Sequence, residues 1–174
     1  RKMILGINPG RFGAGVTGIP CTDTRRLGEK CGIEIPGLTT YESSSVFVYE
    51  FIEAYGGVEA FYHQYYISAV CPLGFVKLNE KGREINYNYY DSRKLQDAVA
   101  GFITRSIEQQ LEFGIDTSVC ACLGNNKNYR YLEQLNREKR YFGKIIPLEH
   151  PRYIMQYKAR QKEEYIRRFV ELLR

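Results

Sequence analysis

The chain has 174 residues, 44% of them hydrophobic and 26% charged, with a net charge of +5. These values fit one globular domain over residues 1–174 with a real core, and the chain carries no repeat and no low-complexity tract. No apolar run is long enough to span a bilayer, and "RKMILGINPG" has neither the length nor the cleavage site of a signal peptide.

Met3–Ile7 is a short apolar run that reads as a buried strand. Because Met3 is not first and a strand starts almost at once, an upstream segment is expected to be missing. The strand runs into "GINPGRFGAGVTGIP", Gly6 to Pro20, with five glycines and two prolines. A hairpin needs one or two such residues. This many leave room for a ligand close to the backbone, either a flat ring or a phosphate. Ser43–Tyr55 starts on serines and stops before Gly56-Gly57, as a helix does. Tyr66–Val70 is a second strand. Asp91–Phe113 is a long helix with an Asp cap, an apolar stripe through Leu95, Val99, Ile103 and Ile107, and Gly114 as its stop. Ser118–Leu123 is a third strand, Asn126–Arg137 a helix, Lys144–Leu148 a fourth strand, and Lys158–Leu173 a closing helix.

The strands are continuously apolar and alternate with helices. That predicts a three-layer α/β/α fold with a short central four-stranded parallel sheet and right-handed crossovers. In such sheets ligands bind at the carboxyl ends of the strands. The rule selects Asn8-Pro9-Gly10, Cys71-Pro72-Leu73, Gly124-Asn125-Asn126 and His150-Pro151-Arg152. Asn8 offers an amide that can hold a water or a ligand edge. His150 offers a donor that titrates near neutrality. A proline after each stiffens the loop that carries it.

The five cysteines are odd in number and form no C-x-x-C, which argues against a disulfide framework and for a reducing compartment. Cys120 and Cys122 share one face of a strand and read as buried thiols. No grouping suits a metal or an iron–sulfur cluster. Charge is uneven: residues 125–174 carry 13 Lys/Arg against 6 Asp/Glu. That basic end is a candidate nucleic-acid face, or simply a solvated helix surface.

"GINPGRFGAGVTGIP" resembles the G-M-N-P-G-P-F-G-M-A-Q-T-G-V-P motif of the single-strand-selective monofunctional uracil-DNA glycosylases. "CPLGF" is similar to the family's C-P-L-L-F, "KGREIN" to an S-G-R-N segment, and His150-Pro151 to the start of H-P-S-P-R-N. The blocks keep family order and span nearly the whole chain. The resemblance implies a divergent bacterial branch, acting as a monomer in the cytoplasm or on the nucleoid. Its partner is DNA containing a damaged base, with no membrane, metal or cofactor. By resemblance, His150 is the donor to the oxyanion that develops on the leaving base, and Asn8 positions the attacking water. The base must leave the stack to be cut, so Ile7 and Gly10 are expected to line its pocket. Phe12 matches the family's P-F-G aromatic. The segment after His150 should enter DNA, with Arg152, Tyr153 and Ile154 as wedge and phosphate contacts. Alternatively Tyr153 and Ile154 pack the final helix.

Two positions depart from the pattern. The phenylalanine that stacks on uracil aligns with Cys21, and the asparagine that reads the pyrimidine edge aligns with Ala69, preceded by Ser68. Loss of a stacking ring costs about 1–3 kcal/mol by analogy with aromatic base platforms. A broader base choice is expected, including xanthine or hypoxanthine. Arg152 also follows Pro151 without the family's S-P.

Other DNA contacts are expected at Arg11, Ser44, Lys81, Arg83, Asn86, Lys127 and Lys158. Ser44 lies in "ESSS", first a helix cap and second a phosphate site. Lys127 lies in "GNNKNYRYL", with the same two readings. Asn86 opens "NYNYYD", either a stacking loop or one packed under the long helix. His63 sits in a helical pattern and receives no role. Two other functions compete. One is a catalytically weak damaged-base or DNA-binding module of the same fold. The other is a small-molecule enzyme that uses the Gly-rich loop for phosphate, although that loop lacks both common phosphate-binding signatures.

Overall fold

A computed structural model describes residues 1–174. Its centre is a four-stranded, all-parallel sheet in the order β2-β1-β5-β6, built from β1 (Lys2–Gly6), β2 (Tyr65–Ala69), β5 (Asp116–Leu123) and β6 (Lys144–Leu148). Met3, Ile4 and Leu5 are fully enclosed because β1 is an inner strand with helices on both faces. Period-two alternation then divides the core. Ile4, Ile67, Ala121 and Leu123 face α3 (Ser43–Tyr55), α4 (Val58–Gln64), α7 (Pro151–Tyr157) and α8 (Lys162–Leu173). Met3, Leu5, Cys120 and Cys122 face α5 (Arg93–Leu111) and α6 (Lys127–Lys139). The expected three-layer α/β/α architecture and the buried thiols are both present. Pro147 sits in β6, an edge strand, where a missing N–H leaves the ladder intact.

Phe47 and Phe51 on α3 meet Phe169 on α8, with Phe47 and Phe169 edge-to-face at 5.1 Å. Such pairs add about 0.5–1.5 kcal/mol beyond the area they bury. This cluster fixes α3 beneath the sheet mouth and so places the N-terminal turn of α3 beside the strand ends.

Several elements differ from the sequence expectations. An antiparallel hairpin of β3 (Phe75–Leu78) and β4 (Glu84–Tyr87) stands apart from the sheet, turning at Gly82 with φ 68°. "NYNYYD" is the end of β4 and its exit turn, with Tyr89 fully buried. The long helix is capped by Ser92, whose hydroxyl accepts from the Leu95 N–H; Asp91 instead accepts from the Asn88 N–H. The expected closing helix Lys158–Leu173 is a 3₁₀ turn at Ala159–Gln161 followed by α8, and a separate helix, α7, whose N1 residue is Pro151, precedes it. A short helix α1 (Ala14–Thr17) forms inside the Gly-rich stretch, and α2 (Thr24–Cys31) follows it. No helix is long and apolar enough to cross a membrane.

Candidate active site at the carboxyl ends of the strands

A cavity of about 630 Å³ opens where β1, β2 and β6 end. Asn8 and His150 both line it, although their strands are separated by β5. Main-chain groups orient Asn8. Its Oδ1 accepts from the Tyr89 N–H at 3.3 Å, and its Nδ2 donates to the Tyr87 carbonyl at 3.3 Å. The hairpin exit therefore sets which way the carboxamide points, and Oδ1 keeps a second lone pair for a water.

His150 caps α7. Its Nδ1 accepts from the Arg152 backbone N–H at 3.1 Å, which leaves the ring proton on Nε2. Burial, and then the nearby Arg152 charge, push its pKa down to about 4. At neutral pH the ring is an uncharged Nε2–H donor.

Ile7, Gly10, Cys21, Ser68 and Ala69 share the cavity wall with the pair. So do Ser44, Asn86, Arg152 and Tyr153. Cys21 holds a left-handed φ of 57°, and burial followed by the Glu42 charge pushes its thiol up to about 12. Tyr153 is 44% exposed and pairs with the exposed Tyr157 at 5.5 Å, whereas Ile154 on the same helix is fully buried. Of the two expected readings for this segment, Tyr153 fits the rim and Ile154 fits the core.

Other expected residues stand outside the wall. Phe12 is half exposed beneath the Arg11 guanidinium, 4.3 Å from the ring centre. Arg11 itself ties the loop to the hairpin, donating from its backbone to Asn86 Oδ1 at 3.0 Å and from its side chain to the Glu84 carbonyl. Lys81 and Arg83 are at the hairpin turn, where both backbone N–H groups bind Asn79 Oδ1. The Lys127 ammonium lies 5.8 Å from the Tyr90 ring centre, and Lys158 follows the last turn of α7.

The Gly-rich loop has a different use from the one its composition suggests. A Cβ at Gly13 would fall 1.9 Å from Glu42 Oε2, and one at Gly10 would fall 2.7 Å from Glu42 Oε1. A carboxylate of the protein itself occupies that space. Sequence reasoning missed Glu42, and it missed Asn128. Asn128 is buried in α6 and donates to the Gly6 carbonyl at 3.2 Å and the Leu123 carbonyl at 3.0 Å. It also accepts from the Tyr89 hydroxyl at 2.9 Å. One amide thus joins the ends of β1 and β5 to the segment that aims Asn8.

The model of the uracil DNA glycosylase superfamily matches residues 1–174. The chain belongs to the uracil DNA glycosylase superfamily. It is a DNA glycosylase, a hydrolase of the N-glycosidic bond that acts in DNA repair. The crystal structure of wild-type Pedobacter heparinus SMUG2 is similar to this glycosylase with a TM-score of 0.96 and 52% identity. That match covers 99% of this chain and 74% of that one. A search of curated proteins finds no match. The resemblance of the Gly-rich motif to the single-strand-selective glycosylases is thereby borne out, as is the fold.

Proposed function

We propose that this glycosylase removes a deaminated base from DNA by hydrolysis alone, releasing the free base and leaving an abasic site in an intact strand. The observation that carries the reading is the pairing of Asn8 and His150 in one cavity, each with its orientation fixed by main-chain hydrogen bonds. The bond between the base nitrogen and the sugar C1′ breaks, and its electrons leave with the base. Negative charge collects on a base oxygen while the sugar becomes oxocarbenium-like. The Nε2–H of neutral His150 donates to that oxygen, and this bond is stronger in the transition state than in the ground state. Asn8 Oδ1 holds a water for addition at C1′; the proton that the water sheds neutralises the departed base anion. An amide suffices because a cationic sugar needs a placed water and not a strong nucleophile. No lysine, metal or cofactor enters this scheme.

Cys21 and Ala69 put two small side chains in the wall where the related motifs carry a ring and an amide. Their size supports acceptance of purines such as xanthine and hypoxanthine beside uracil. Tyr153 and Tyr157 offer rings on which neighbouring bases can stack. Lys81, Arg83, Lys158 and the free edge of the Arg152 guanidinium supply phosphate contacts. The enzyme works as a monomer on cytoplasmic or nucleoid DNA.

End-labelled oligonucleotides test the proposal. Single- and double-stranded substrates each carry uracil, xanthine, hypoxanthine or no lesion, and are resolved with and without alkali. Breaks at the lesion only after alkali are expected. Breaks without alkali would refute monofunctional hydrolysis. Tight binding without product would favour a damaged-base recognition module.

A further inference from the structure

The geometry points to Glu42 as the positioning residue that locks the two catalytic loops to one another, an inference that rests on the roles proposed for Asn8 and His150. Asn8 and His150 arrive on strands that are not neighbours, and no hydrogen bond joins the Asn8–Gly13 segment to the His150–Tyr153 segment. A third element must set their separation. Glu42, at the N-terminus of α3, is in contact with both. Its Oε1 accepts from Arg152 Nη2 at 2.6 Å, two residues from His150. The same carboxylate lies against Gly10, two residues from Asn8, and against Gly13.

Glu42 is itself held. Its backbone N–H donates to Asp23 Oδ2 at 2.8 Å, and the fully buried Asp23 caps α2 through the Arg26 N–H. Ser44 Oγ donates to Oε1 at 3.4 Å. The Glu42 side chain is only 12% exposed, whereas its Arg152 partner is 40% exposed, so the carboxylate is the sheltered half of the pair. The loop glycines follow from this arrangement, since any Cβ at Gly13 would displace the carboxylate. A displacement of about 1 Å between reacting groups lowers rates about 100-fold. A strut that spans both loops therefore acts on the chemical step and leaves DNA affinity alone.

The test compares Glu42→Gln, Arg152→Met and the double variant with wild type. Three quantities are measured: the single-turnover rate of base release, the Kd for lesion DNA, and the side-chain NMR resonances of Asn8 and His150. Glu42→Gln keeps the shape and removes the charge. Its rate is expected to fall roughly 10- to 100-fold, with a Kd close to wild type. The double variant should be no slower than the slower single, because the two residues act as one unit. In Glu42→Gln the Asn8 amide and His150 ring resonances should both move, while the Lys81 amide stays in place. A wild-type rate, multiplying losses in the double variant, or a Kd of Glu42→Gln that weakens in step with its rate would each overturn the inference. The resonances decide it even if no substrate is found. Immobile Asn8 and His150 signals would refute the strut, whereas inactivity of the wild type would refute the catalytic reading.

Discussion

Acidification probes the state of His150 directly. The folded protein holds this ring at a pKa of about 4, against an ordinary 6.5, because burial and then Arg152 oppose its charged form. Well above pH 6.5 the ring is neutral in both folded and unfolded chains and contributes no pH dependence. As pH falls from 6.5 towards 4 the unfolded chain takes up the proton and the folded chain does not, so stability declines. Between pH 7 and pH 4.5 this one group costs about 2–3 kcal/mol. Urea unfolding of wild type and His150→Gln at several pH values isolates it, since the carboxylates contribute equally to both curves. Wild type should lose about 2–3 kcal/mol more than the variant over that interval. The acid limb of base release should fall below pH 5 for the same reason. Parallel stability curves, or an NMR titration of His150 near pH 6.5, would refute the neutral-donor assignment.

Asn128→Ala removes its bonds to the Leu123 carbonyl and the Tyr89 hydroxyl, and one of two from the Gly6 carbonyl, which keeps the Val70 N–H at 2.9 Å. At about 1–3 kcal/mol for each of the Leu123 and Tyr89 groups, the total loss should be about 2–6 kcal/mol by chemical denaturation; a loss under about 1 kcal/mol would contradict its role as a tie between strands. Cys21→Phe restores a ring to the cavity wall and should raise uracil release relative to xanthine, measured on matched oligonucleotides. An unchanged ratio would show that position 21 does not read the base. Lys81→Ala and Arg83→Ala should each make the salt dependence of DNA binding shallower by about one phosphate contact. An unchanged slope would place the hairpin off the DNA.

The sheet was legible because its strands are buried on both faces, and continuous apolar runs such as Met3–Leu5 survive without any tertiary information. The strand-end rule then selected the loops that carry Asn8 and His150 before any geometry was known. The hairpin was hidden because its strands are short and mostly exposed, so no core pattern marks them. Pro151 looked like a stiff loop residue, although proline is equally at home in the first turn of a helix. The helices α1, α4 and α7 are too short to show a full amphipathic repeat. Glu42 read only as part of a helix start, and its contacts could not be read. Its meaning depends on Arg152, 110 positions along the chain, and on glycines whose missing side chains looked like space for a ligand.

The central claim is that Asn8 and neutral His150 together perform the hydrolysis. Mass spectrometry of single-turnover reactions measures it most directly, because it detects the free base and the abasic strand in the same sample. Wild type should yield both in equal amounts. Asn8→Ala and His150→Ala should each slow their appearance by at least about 100-fold while still binding the lesion DNA. Release at the wild-type rate from either variant would contradict the assignment and move the chemistry elsewhere in the cavity.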